Sequence, residues 1–246
     1  MGKEFEIVRE YEVAATPAQV WDAVTTGSGA WLWPMEFEPR LGGVVAGIGV
    51  ITAWDPPHRL TSRAEDPNGL QGRPQTLNQV DHLIEPREGG RAAWVRYVHS
   101  GIFTDNWDDQ YDGAGRHTDF YLHTLRQYLL HFTGLPAVHS DVQGPEASTK
   151  RGSFAEVGRA LGVGGATVGD TVRVDLPGTG PVDAVLDYSD GHFLGLRTGD
   201  AMYRFFGRDA WGAPVGLALH RFATDAASSQ EQARQAWQSW LDGLYA

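Results

Sequence analysis

Apolar residues recur every three or four positions in one long stretch, Gly115 to Gly134, and alternate with polar ones almost everywhere else. In that stretch Leu122, Leu125, Leu129 and Phe132 fall on one side of a helix, and Tyr121 and Tyr128 widen the stripe. His117, Asp119, Arg126 and Gln127 point elsewhere. Gly134 and Pro136 supply the stop signal. At ~1.5 Å per residue such a helix is roughly 27 Å long, enough to cross a sheet. The strand pattern begins at Phe5 and runs to Val13, broken by Glu6, Arg9, Glu10 and Glu12. Thr16-Pro17-Ala18-Gln19 then reads as a capping box that opens a short helix carrying Val20, Trp21 and Val24.

Further strands are expected at Val44–Trp54, Leu60–Ala64, Thr76–Ile84 and Arg91–Phe103, the last entered through Gly89-Gly90. Asp55-Pro56-Pro57 has to turn. Residues 65–75, with Pro67, Gly69, Gly72 and Pro74, read as a surface loop, and Asp105–Asp112 as an acidic lead into the long helix. After that helix, residues 136–152 have few large apolar groups and read as a linker. Ser153-Phe-Ala-Glu156 and Ser228…Glu231 read as two more capping boxes. Strands are expected at Thr171–Leu176, Val182–Tyr188, His192–Arg197, Ala201–Phe206 and Val215–Phe222, with a final helix burying Ala233, Trp237, Trp240, Leu241 and Leu244. The second half thus repeats the order of the first: short capped helix, strands, long closing helix. Thr16-Pro-Ala-Gln-Val-Trp-Asp-Ala-Val aligns with Ser153-Phe-Ala-Glu-Val-Gly-Arg-Ala-Leu, and Val138–Val142 stands where a first strand would. The expected division is 1–135, a linker at 136–152, and 153–246.

At 246 residues the chain is long enough for two modest domains with real cores. Its 31 acidic against 20 basic residues give a net charge of −11, and no basic window offsets it, so nucleic acid is not an expected partner. The absence of cysteine excludes disulfides and thiolate chemistry. No run approaches 18 apolar residues, MGKEFEIVREYEV lacks an apolar signal core, and Gly2 lacks a myristoylation context, so no membrane insertion and a cytoplasmic location are expected.

The succession of a first strand, TPAQVWDAVTT, a tryptophan-rich turn, LGG, WDPPHRL, GGRAAWVRYVHSG and a closing helix resembles the activator-of-heat-shock-protein-90-ATPase-like branch of the START/SRPBCC superfamily. The resemblance covers about residues 1–134; the second half shares only its element order. It implies an α+β, helix-grip fold, a curved antiparallel sheet wrapped on a long helix with a cavity between, here as two tandem diverged copies. It also implies binding of a hydrophobic small molecule, with chaperone contact as a further role in such proteins. Gly113-Ala-Gly115-Arg116-His117 departs from the glycine-tryptophan helix entry usual in the family.

Of nine tryptophans, Trp31, Trp33, Trp54, Trp94 and Trp107 lie in the first half. Singly each reads as core filler; as a group, in a fold that tends to be hollow, some are expected to face a ligand. His99, on the clearest strand, and His123, on the long helix, are the polar groups placed nearest that space, where a histidine can hydrogen-bond a ligand oxygen or serve a cyclase- or hydrolase-type reaction as acid or base. No catalytic constellation stands out. His117, His123 and His131 are spaced six and eight apart, unlike helical zinc ligands. Asp108, Gln110, Asp112, Gly113 and Asp119 echo a calcium loop but with poor ligands, and a solvated acidic loop ahead of a helix N-terminus, favoured by the dipole, explains them. GVGGATVG lacks the ending of a phosphate loop, and no nucleophile elbow occurs. No metal and no cofactor are expected.

Overall fold

The alternation starting at Phe5 forms β1 (Lys3–Val13), which pairs antiparallel with the last strand of its sheet, β6 (Ala92–Phe103). Between them come α1 (Pro17–Val24), β2 (Val44–Val45), β3 (Gly49–Asp55), β4 (Arg59–Glu65) and β5 (Gln75–Arg87), and α2 (Trp107–His131) closes the series. The six strands run β1-β6-β5-β4-β3-β2 across the sheet, all antiparallel. The computed structural model describes residues 2–65 and 75–246, so the loop expected around Pro67 to Pro74 lies outside the described residues. Two compact units emerge, Met1–Thr133 and Gly134–Ala246.

In the first unit the register Ile7–His99–Val80, Arg9–Tyr97–His82 and Tyr11–Val95–Ile84 sets these residues on one face. That face looks towards α2: Phe5, Ile7 and Phe103 pack with Trp107 and Ala114. Gly101 sits there opposite Phe5, and any Cβ on it would drive into the Leu77 carbonyl, so only glycine lets β5 and β6 meet. α1 opens on the expected capping box, with Thr16 Oγ1 accepting from Gln19 N and Gln19 Oε1 from Thr16 N.

α2 begins at Trp107, eight residues before Gly115, so the acidic segment is mostly helix rather than a lead-in. Two interior glycines, Gly113 and Gly115, weaken it by ~1 kcal/mol each, which is why periodicity alone misses this part. Tertiary anchoring offsets the loss. The Trp107 indole donates to the Glu4 carbonyl at 3.1 Å, stacks on Tyr111 one turn later at 4.7 Å, and lies 3.5 Å from Lys3 Nζ. Asp108 and Asp109 fall in the first turn, where the helix dipole favours them.

The second unit holds β7 (Val138–Gln143), α3 (Ala155–Ala160), β8 (Thr171–Leu176), β9 (Gly180–Ser189), β10 (Phe193–Arg197), β11 (Ala201–Phe206), β12 (Gly216–Arg221) and α4 (Gln230–Leu244). Its strand order, β7-β12-β11-β10-β9-β8, is the permutation of the first sheet: the first strand pairs with the last and the others follow in descending order. β7, where the sequence placed a remnant first strand, and a short 3-10 turn at Glu146–Thr149 lie within residues 136–152. Neither later capping box forms. Phe154, not Ser153, stands at the start of α3 in helical geometry, and Ser228 donates to the Asp225 carbonyl while α4 begins after Ser229. The protein is α+β with two antiparallel six-stranded sheets, an arrangement compatible with a helix-grip. Among the described residues no helix is long and apolar enough to cross a membrane.

Candidate functional site

The face of the first sheet beneath α2 carries polar aromatic groups where a simple core would carry aliphatic ones. Tyr97 on β6 and His82 on β5 are directly paired, their rings 5.2 Å apart at 72°. Tyr11 on β1 follows Arg9, Tyr97's partner on the other side, by one inward step. The three thus form a diagonal across β1, β6 and β5. From α2, Thr118 hydrogen-bonds the Tyr97 hydroxyl, Tyr121 lies close enough to act on it electrostatically, and the Arg126 guanidinium sits 5.5 Å from the centre of the Tyr11 ring.

Burial governs the ionisation of all three. It raises the Tyr11 phenol well above its ordinary range, with Arg126 acting the other way. It raises Tyr97 likewise, partly countered by the Thr118 bond. It lowers His82 to about 4 against a small opposing pull from Asp81, so this imidazole is neutral at pH 7. Tyr11 is partly exposed as a residue, yet its hydroxyl is buried and has no hydrogen-bond partner among the described residues. The same holds for His82 Nδ1, on a side chain only 9% exposed. Buried polar groups are nearly always satisfied, so the two orphans on this face stand out, as does Arg204 Nε in the second unit.

Further groups frame it. His99 Nε2 lies 2.7 Å from Asn78 Oδ1, and Phe5 meets the His99 ring edge-on at 5.0 Å. On the β1 side Arg9 and Asp119 form a two-point ion pair, 2.5 and 3.0 Å, tying the strand to α2. Around Tyr121 stand Trp33, at 5.7 Å between rings, and His117, whose Nδ1 is 2.8 Å from the Gly113 carbonyl. The inner face of the second sheet is the contrast: Tyr203, Phe205, Leu217 and Leu219 pack with the fully buried Trp237 and Leu241 of α4, a solid apolar core.

The residues singled out by sequence are dispersed. His99 shares the face with Tyr11, Tyr97 and His82, and Trp33 reaches Tyr121. Trp31 is buried with its indole N–H on the Ala23 carbonyl at 2.8 Å, and Trp54 packs against Trp21 and Phe37. Trp94 lies on the opposite face of the sheet, between Glu12 and Glu85, under the Arg87 guanidinium. Trp107 anchors the start of α2, and His123 is half-buried on the flank of α2 away from Leu122, Leu125 and Leu129. Tyr11, His82 and Tyr97 were not anticipated. Strand parity was the available signal, since Tyr97 and His99 are two apart on one strand and Tyr11 shares the parity of Phe5 and Ile7. The calcium-like series is helical, with Asp112 paired to Arg116 and Asp119 to Arg9. Among the described residues no group of three or more His, Asp or Glu is placed to hold a metal.

No known family model matches this chain, and no curated protein matches it. Solved structures similar to it include DynU16, from the dynemicin biosynthetic locus, at 14% identity over 97% of this chain and 96% of that one, TM-score 0.40. CalU16 from Micromonospora echinospora is similar at 18% identity over 52% of this chain and 86% of that one, TM-score 0.39. The Aha1 dimer from Colwellia psychrerythraea is similar at 18% identity over 51% and 96%, TM-score 0.37.

Proposed function

We propose that the first unit binds a hydrophobic small molecule between the inner face of its sheet and α2. One observation carries this reading: the buried Tyr11 hydroxyl and His82 Nδ1 lack partners among the described residues, whereas phenylalanine and leucine there would be cheaper to bury. Aromatic walls with a few placed polar groups are what such sites are made of. Of the residues expected to face a ligand, Trp33 and His99 are the two included in the proposed binding surface. The test is native mass spectrometry of the purified chain with a thermal-shift screen of apolar compounds. Hits that stabilise the wild type, and stabilise Tyr11→Phe and His82→Leu less, support the reading. A screen without hits, with a water found on each orphan atom in a crystal structure, overturns it.

We also propose that the units are diverged copies of one helix-grip, on the strength of the shared strand permutation and the matching position of the helix that follows each sheet. Superposing them in an experimental structure is expected to lay β1 on β7, α2 on α4 and the Thr16 segment on the Ser153 segment. Opposite sheet curvature relative to the closing helix would refute common descent.

A further inference from the structure

Resting on the binding reading above, we propose that the molecule held at this site is uncharged and carries two separate hydrogen-bonding oxygens on an apolar body, one read by the Tyr11 hydroxyl and the other by His82 Nδ1. Each group can donate or accept, a phenol by its nature and a neutral imidazole nitrogen according to tautomer, so a carbonyl or a hydroxyl satisfies either. Their positions set the spacing. β1 and β5 flank β6, so Tyr11 and His82 stand two strand spacings apart and two residues out of step, roughly 12 Å between Cα atoms. Side chains rise roughly perpendicular to a sheet, so their tips stay well separated. The two oxygens of one carboxylate, only about 2 Å apart, cannot serve both.

Charge points the same way. Burial holds Tyr11, His82 and Tyr97 in their neutral forms, and the Thr118 hydroxyl carries no charge. Arg9, the cation on this face, spends its two-point bond on Asp119. Arg126 lies over the Tyr11 ring face rather than in hydrogen-bonding contact with the hydroxyl. Asp81, beside His82 in sequence, points to the other face, where it accepts from Thr61 and Gln79. The burial that keeps His82 neutral opposes an ionised ligand equally.

The experiment titrates the full chain with 6-hydroxy-2-acetonaphthone, its one-oxygen analogues 2-acetonaphthone and 2-naphthol, naphthalene, and 6-hydroxy-2-naphthoate, following tryptophan fluorescence and calorimetry. The hydroxyketone is expected to bind about tenfold more tightly than either one-oxygen analogue, and the naphthoate more weakly than the hydroxyketone. In Tyr11→Phe the penalty for removing one of the two oxygens disappears while that for the other remains; in His82→Leu the assignment reverses, and His82→Gln, which keeps a hydrogen-bonding group, restores discrimination. Naphthoate binding as tightly as the hydroxyketone, or variants that weaken all five probes equally, overturns this inference while leaving the binding reading standing. Failure of every probe, naphthalene included, overturns the binding reading itself.

Discussion

Replacing Tyr11 by phenylalanine removes a single oxygen atom and keeps the ring, its packing and its contact with Arg126. In most proteins a buried tyrosine hydroxyl is hydrogen-bonded, and its loss is destabilising. Here the hydroxyl is buried without a partner among the described residues, and leaving such a group desolvated costs about 1–3 kcal/mol. The ligand-free variant is therefore expected to be more stable than the wild type by about 1–3 kcal/mol. Near 130 residues, that corresponds to roughly 3–5 °C in Tm per kcal/mol. Tyr97→Phe is the internal control. Same residue type, same face, but its hydroxyl is bonded to Thr118, so the variant should lose about 0.5–1.5 kcal/mol. Urea titration monitored by exchange of the β6 amides reads both in the unit that carries them. A Tyr11→Phe variant destabilised by about 1 kcal/mol or more would mean the hydroxyl already has a partner, and the physical basis of the site would be gone.

Stability should also depend on His82 through pH. Its folded-state pKa, about 4, lies below the ordinary histidine value of 6.5, so between those values the unfolded chain takes up a proton that the folded chain refuses. The contribution is intact above pH 6.5 and falls away towards pH 4, by about 3 kcal/mol in all. The His82→Leu stability curve should be flatter by that amount across the window, and parallel curves would refute the burial effect. In the second unit Arg204 and Asp187 form a two-point pair, 2.5 and 3.0 Å, with side chains 1% and 4% exposed. Asp187→Ala leaves a buried guanidinium uncompensated and should cost about 3–5 kcal/mol in denaturant titration, and Asp187→Leu with Arg204→Met should recover most of it. Gly195→Ala should be comparably harmful, because a methyl there meets both partners; a mild effect in either single variant would count against the pair. Thr16→Ala should cost about 1 kcal/mol, whereas Ser153→Ala and Ser228→Ala stay within about 0.5, since only Thr16 caps. Equal losses in all three would contradict the observed helix starts.

Much of the framework was readable because periodicity reports it directly. β1, β4, β6 and the strands of the second half fall where alternation put them, and the apolar stripe of α2 is the stripe of Leu122, Leu125 and Leu129. What failed was what depends on distant contacts. The first two turns of α2 have glycines and acids in place of a stripe, and Trp107 holds them from β1. Three capping-box spellings gave one capping box. Thr16 is extended at φ −66, ψ 155, as a cap requires, whereas Phe154 is already helical and Ser229 sits at φ −108, ψ 10. Tryptophan drew attention by its size, but indole N–H groups find backbone carbonyls: Trp31 takes Ala23 and Trp107 takes Glu4. The less conspicuous Tyr11 and His82, set by strand parity, hold the orphan atoms.

The two sheets use one strand order for opposite ends, and the difference lies in the residues of a single parity. In the second, Tyr203, Phe205, Leu217 and Leu219 close on Trp237, and every large group on that face has an apolar neighbour. In the first, the same face holds Tyr11, His82, Tyr97, His99 and Asn78, and the Tyr11 hydroxyl and His82 Nδ1 are buried without a partner among the described residues. Nothing in the strand pairing demands this, because hydrogen bonds along the ladder are indifferent to whether a tyrosine or a phenylalanine points inward. With net stability only about 5–15 kcal/mol, two orphan groups are a sizeable expense for one unit to carry. A bound molecule that satisfies them returns that stability through mass action. On the proposed binding reading the polar face is explained by a held molecule rather than by a contribution to folding, since the inner face of the second sheet, built in the same strand order, is apolar.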